Sequence, residues 1–272
     1  MSVKKEPSGR RSVSVEVEVP GTPDEVWQAI ATGPGISSWF VPTEFRDDGT
    51  IVKSFGPGME SVATQTAWDP PRRYAAESPG WKPGSPAMAT EWIVEARAGG
   101  TCVVRVVHSL FASTDDWDAQ LEGTEHSWPW FFEILKLYLT HFRGERRSTF
   151  RVMGAAPEPA SAAWDAVTIA LGLTGAAPGR RVAAPADLPP LAGVVERVGE
   201  TKDHHALILR ADAPCPGIVS VVAPVHGGQV VVAFDFHLYG ERAADVAARD
   251  EPAWQRWVGE RFPFGGFGGS VG

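Results

Sequence analysis

The stretch Ser12-Val13-Ser14-Val15-Glu16-Val17-Glu18-Val19-Pro20-Gly21-Thr22-Pro23-Asp24-Glu25-Val26-Trp27-Gln28-Ala29-Ile30 reads as two elements back to back. In its first half Val13, Val15, Val17 and Val19 alternate with serine and glutamate. All four valines therefore fall on one face of an extended chain, the period of a half-buried strand. Pro20-Gly21 ends that run. Thr22 then offers a helix cap, Pro23 a first-turn proline whose missing N–H costs nothing there, and Asp24 and Glu25 the acids that favour a first turn. Val26, Trp27 and Ile30 give the apolar side of a short helix, which closes near Gly33-Pro34-Gly35.

Downstream of this pair a second helical piece is expected over Ile36 to Phe40. Strand-like runs follow around Phe45 and over Thr50–Phe55, Glu60–Trp68, Arg72–Glu77, Ala87–Ala96 and Thr101–Phe111. The turns between them are Asp47-Asp48-Gly49, Gly56-Pro57-Gly58, Asp69-Pro70-Pro71 and Gly99-Gly100. A long helix from about Glu122 to Phe142 carries Phe131, Ile134, Leu135, Tyr138, Leu139 and Phe142 at helical spacing. Strand, two short helices, an antiparallel meander and one long helix make an α+β order.

The second half repeats that order more faintly. An offset of 137 positions lays Phe150 on Val13, Val152 on Val15 and Trp164 on Trp27, which an internal repeat explains. Strands are expected over Leu191–Val198, His205–Arg210, Gly217–Ala223 and Gln229–Leu238, and a closing helix from Ala243 to about Arg261. Ala176 to Pro190 reads as loop. The expected organisation is one domain over 11–146, a shorter and degenerate copy over 147–262, and a flexible glycine-rich tail over 263–272.

Composition sets the outer limits. The chain has 272 residues, 43% of them hydrophobic and 21% charged, an ordinary globular balance. Net charge is −8, and neither half has the basic excess that nucleic-acid binding needs. Cys102 and Cys215 lie far apart, so no disulfide framework or zinc knuckle is indicated. The basic start, Met1 to Arg11, has no apolar stretch behind it and is expected to be frayed; no run is long enough to enter a membrane, and a cytoplasmic location is expected. Six lysines against nineteen arginines, with abundant Ala, Gly and Pro, suggest a GC-rich bacterial genome. Tryptophan is the odd entry in the composition: eleven against three tyrosines, with eight before residue 131.

Several of these stretches resemble the family of proteins like the C-terminal domain of the activator of heat-shock-protein-90 ATPase, within the START-related SRPBCC helix-grip superfamily. The residues that carry the resemblance are Thr22 to Ile30, Trp39-Phe40, Asp69-Pro70-Pro71-Arg72-Arg73, Gly100-Thr101 and His108-Ser109, with the long helix near Tyr138. The match spans about 11–146; beyond it only the repeat extends the likeness. The resemblance implies a curved antiparallel sheet wrapped around the long C-terminal helix with a cavity between them, serving as a hydrophobic small-molecule container or a protein-contact module. Many bacterial members have no established activity.

Strand parity nominates the lining. Val104, Val106 and His108 share a face in one strand, Trp92 faces inward in the strand before it, and Thr64, Thr66 and Trp68 share a face in a third. With Phe131, Leu135 and Tyr138 of the long helix they form the expected apolar pocket, in which a flat hydrophobic molecule would lie. The bland alternative is that these rings simply fill a core, and that His108 is a hydrogen-bonded core histidine rather than an acid–base group. Trp27, shared with Trp164, reads as structural. Trp117, His126, Trp128 and Trp130 surround the entry to the long helix, as a lid, a partner surface or a plain capped helix start. Neither Glu122, Glu125 and His126 nor the His204-His205 pair has metal-ligand spacing, and no nucleophile elbow, phosphate loop or dinucleotide fingerprint occurs. No metal or cofactor is therefore expected. A non-catalytic binder of a small hydrophobic ligand is the preferred reading, with a cyclase/aromatase-like enzyme and a co-chaperone or regulatory protein-binding module as rivals.

Overall fold

The computed structural model describes residues 3–55, 60–80, 84–201 and 203–263. The Gly56-Pro57-Gly58 turn and residues 264–272 of the expected tail lie outside them. The chain divides into two compact units, Met1–Arg143 and Gly144–Gly272.

The first unit runs β1 (Lys4–Lys5), β2 (Arg10–Pro20), α1 (Pro23–Ile30), α2 (Gly33–Ser37), β3 (Thr43–Phe45), β4 (Thr50–Ser54), β5 (Glu60–Asp69), β6 (Arg73–Ser78), β7 (Met88–Arg97), β8 (Thr101–Phe111) and α3 (Asp118–His141). Its strands form one antiparallel sheet in the order β1-β2-β8-β7-β6-β5-β4-β3. The meander is thus sequential, while β2, the first long strand, lies beside the last. Helix α3 packs on β2 and β8. This is the helix-grip arrangement.

The local chemistry of α1 follows its sequence. Thr22 and Glu25 form a reciprocal capping box, the Thr22 N–H donating to the Glu25 carboxylate at 2.8 Å and the Glu25 N–H to the Thr22 hydroxyl at 3.4 Å. Val26, Trp27, Ala29 and Ile30 are the buried face. At its other end the indole N–H of Trp39 donates to the Ala29 carbonyl and the Tyr74 hydroxyl to the Ile30 carbonyl, each at 2.9 Å. Two of the carbonyls that a helix end leaves without partners are thereby satisfied.

The second unit runs β9 (Arg147–Ala156), α4 (Ala160–Ala170), β10 (Arg181–Ala183), β11 (Ala192–Thr201), β12 (His204–Ala213), β13 (Gly217–His226), β14 (Gln229–Tyr239) and α5 (Ala243–Arg261). Its sheet order is β10-β11-β12-β13-β14-β9, and α5 packs on β9 and β14. The first long strand again lies beside the last. Relative to the first unit, one short helix and two strands fewer are present among the described residues.

Four expectations change. Gly33-Pro34-Gly35 opens α2 rather than closing α1, because the Thr32 hydroxyl accepts the Gly35 N–H at 3.0 Å and Pro34 sits in the first turn. A Cβ on Gly35 would collide with the Gln28 carbonyl, so the tight approach of α2 to α1 requires glycine. The start of the chain is not frayed throughout: Lys4 and Lys5 pair with Ser12 and Arg11. Arg11 is buried and donates to Asp115 and Asp118 at 2.6 Å each, which fastens β2 to the β8–α3 connection and lets α3 begin at Asp118 rather than near Glu122. The Ala- and Pro-rich segment after α4 contains β10, whose three residues pair with Ala192–Val194.

Candidate functional site

The register of the first sheet fixes its inner face. Thr90, His108 and Val13 lie in one row across β7, β8 and β2; Trp92, Val106 and Val15 in the next; Val94, Val104 and Val17 in a third. Trp92, Val104, Val106 and His108 are all buried, as are Leu135 and Tyr138 on α3, while Phe131 is half-buried.

On β5 the expected parity fails. A bulge between Gln65 and Ala67 puts one extra residue into the strand, so Gln65 opposes Ala76 and Trp68 opposes Tyr74 on the inner side. Thr64 opposes Glu77 on the outer side, and Thr66 is the unpaired residue of the bulge. Both threonines are exposed and do not line the interior. Trp68 does face inward, edge-on to Trp27 at 5.1 Å, yet remains 42% exposed. Together with Gln65, Phe45, Ile51 and Thr32 it walls a cavity of about 270 Å³ beside the β3–β4 hairpin.

His108 is held at both nitrogens. The Trp128 indole N–H donates to Nε2 at 2.6 Å, which leaves the ring proton on Nδ1 to donate to the Thr90 hydroxyl at 3.0 Å. Burial, and secondarily the charge of Lys53, push its pKa down to about 3. The ring is a neutral structural bridge between β7, β8 and α3, with no nitrogen left for a proton shuttle.

The interior between sheet and helix is filled by rings in contact. Tyr74 stacks on Trp92 (centroids 6.1 Å apart, planes 11° apart), Trp92 meets Trp128 edge-on at 5.1 Å, and Trp128 lies over Phe132 at 5.2 Å. Trp92 is 2% exposed, and its indole N–H has no hydrogen-bond partner among the described residues. The row emerges at one end: Trp128 touches Phe40 at 6.0 Å and Phe131 at 5.9 Å, and Phe40 touches Phe131 at 4.8 Å and the exposed Phe55 at 6.0 Å. Phe40, Phe55 and Phe131 make a partly accessible aromatic rim in which Phe40 links the end of β4 to α3.

Lys53 belongs to this end. Ile51 is buried on the inner face of β4 and Val52 pairs with the exposed Val62 on the outer, so alternation places Lys53 on the inner side, opposite Thr43 on β3 and Ser61 on β5. Burial lowers its amine to about 8. Among the described residues it has neither a hydrogen bond nor an ion pair. Sequence reasoning missed it, although the alternation Ile51, Lys53, Phe55 was legible.

Of the four residues expected at a lid or partner surface, only His126 is exposed. Trp117 caps α3 and packs against the Val13, Met88, Leu110 and Leu121 cluster; Trp128 is buried, and Trp130 is half-buried on the helix. His126, Trp128 and Trp130 lie within α3, and Trp117 stands at its N-cap position. In the second unit, a cleft of about 650 Å³ lies between β9, α4 and the end of α5, walled by Ala155, Ala156, Ala163 and Phe262. No sequence signal marked it. Among the described residues no three His, Cys, Asp or Glu side chains cluster as a metal ion requires, and no helix is long and apolar enough to cross a membrane.

Comparison with protein-family models and with curated proteins returned no match. Solved structures similar to the chain include DynU16, of the dynemicin biosynthetic locus (17% identity, 91% of this chain and 95% of that one, TM-score 0.41). The di-domain ARO/CYC BexL of the BE-7585A biosynthetic pathway is another (14%, 90% and 94%, TM-score 0.44). The Aha1 dimer from Colwellia psychrerythraea covers less of it (21%, 49% and 98%, TM-score 0.38). With scores this low, the architecture described above rests on the protein's own strand order and packing.

Proposed function

We propose that the first unit is a non-catalytic receptor for a small, flat, hydrophobic molecule, which stacks on the aromatic rim where the row of rings between the sheet and α3 emerges. The carrying observation is the partly accessible Phe40–Phe55–Phe131 rim, continuous through Trp128 with the buried rings beneath it. Aromatic faces stack on flat ligands at little entropic cost, because the rings are already held in place. The double engagement of His108 speaks against the cyclase/aromatase reading, since acid–base work needs a nitrogen free to exchange a proton. The burial of Trp128 and the half-buried packing of Trp117 weigh against a protein-contact surface at that place. The reading also takes the chain as a cytoplasmic member of the activator-like family whose second unit is a degenerate copy.

Tryptophan fluorescence titration with naphthalene and anthracene derivatives tests it. Saturable quenching is expected, weakened at least tenfold by Phe131→Ala and changed less than twofold by Trp68→Ala. If no compound quenches saturably, or if Trp68→Ala alone abolishes binding, the rim is not the site.

A further inference from the structure

We propose that the molecule received at the Phe40–Phe55–Phe131 rim carries a carboxylate or comparable anionic group, which pairs with Lys53. The inference rests on the receptor reading and names the ligand class for that same site. Lys53 is on the inner face of β4, between buried Ile51 and the ring of Phe55. The carboxylates nearest in register cannot reach inward: Glu44 opposes the outward Val52 and pairs with Arg46, and Glu60 opposes Ser54 on that same outer side. The polar groups that share the inner face with Lys53 are neutral. Thr43 and Ser61 flank it, the Ser78 hydroxyl donates to the Met88 carbonyl, and Thr90 is engaged with the neutral ring of His108.

An ammonium held in such surroundings without a counter-charge is costly, and an incoming anion removes that cost. The same lysine would be indifferent to a purely apolar ligand. Phe55 follows Lys53 by two residues and belongs to the rim, which puts the lysine beside the rings where they emerge. A rim of rings with one unpaired cation below them suits an aryl carboxylate: the rings take the flat body and the ammonium takes the acid.

The experiment uses the full chain and two probes of one shape, 2-naphthoate and the uncharged 2-acetonaphthone, titrated by tryptophan fluorescence at pH 7. The expected result is naphthoate binding at least tenfold tighter than acetonaphthone. Lys53→Met should abolish that preference while leaving acetonaphthone affinity within twofold, and Lys53→Arg should preserve most of it. Lys53→Gln repeats the comparison if the methionine variant does not melt cooperatively. Equal affinity of wild type for the two probes, or a preference unchanged in Lys53→Met and Lys53→Gln, overturns the anionic ligand and leaves the apolar receptor standing. Binding of neither probe to wild type overturns both.

Discussion

Two titratable side chains on the inner face of the sheet, buried His108 and half-buried Lys53, set the pH behaviour of the first unit, with opposite signs. The folded state lowers Lys53 to about 8 from its ordinary value of 10.5. The penalty for its charge is therefore fully present below pH 8 and fades as the pH rises from 8 to 10.5. Lys53→Met is expected to raise stability at pH 7 by up to about 3 kcal/mol, measured as a higher urea midpoint, and to flatten the rise above pH 8. His108 is held near 3 against 6.5. Its folded form favours the neutral ring, so stability is intact above pH 6.5 and falls as the pH drops toward 3, by about 3 kcal/mol at pH 4. In His108→Gln, whose amide oxygen accepts the Trp128 N–H, the difference between urea midpoints at pH 7 and pH 4 is expected to shrink. An unchanged difference would mean that the ring is protonated in the folded state. The role of His108 as a bonded core residue was one of two readings its sequence context allowed. The partner that separates them, Trp128, lies twenty residues away on another element.

At the scale of elements, local rules carried far. The Thr22–Glu25 capping box is visible in four residues, and Thr22→Ala is expected to cost about 1 kcal/mol, read from the urea midpoint. Strand limits on β4, β5, β7, β8 and β14 fell within a residue or two of where alternation put them. Parity gave the inner face of β7 and β8 correctly because those strands pair without interruption. It failed on β5 because one extra residue at Thr66 inverts every assignment beyond it, and nothing in Gln65-Thr66-Ala67 announces a bulge. Likewise the early start of α3 depends on Arg11 reaching Asp115 and Asp118 across more than a hundred residues. A local pattern cannot register such a contact.

For the molecule as a whole, the uneven distribution of tryptophan acquires a meaning. Trp68, Trp92 and Trp128, with no counterparts in the second half, form with Trp27 and Tyr74 a connected row of rings through the first unit. Trp92→Ala should therefore cost about 3–5 kcal/mol as a core truncation, a larger loss than removal of a rim phenylalanine. Each unit has its own sheet, long helix and buried apolar residues, and residues 1–143 expressed alone are expected to give a cooperative thermal melt with a strand-rich far-UV spectrum. A broad, uncooperative melt would show that the first unit needs the second. By itself the sequence determined the kinds and order of the longer elements and the inward set on uninterrupted strands, because these depend on short-range periodicity and caps. Only the tertiary structure decided that the rings fill the space between sheet and helix, that Thr64 and Thr66 turn outward, and that Lys53 stands inside without a counter-charge. The physical reason is that volume, bulges and charge pairing are set by which distant residues meet, and no local window of the chain contains both partners.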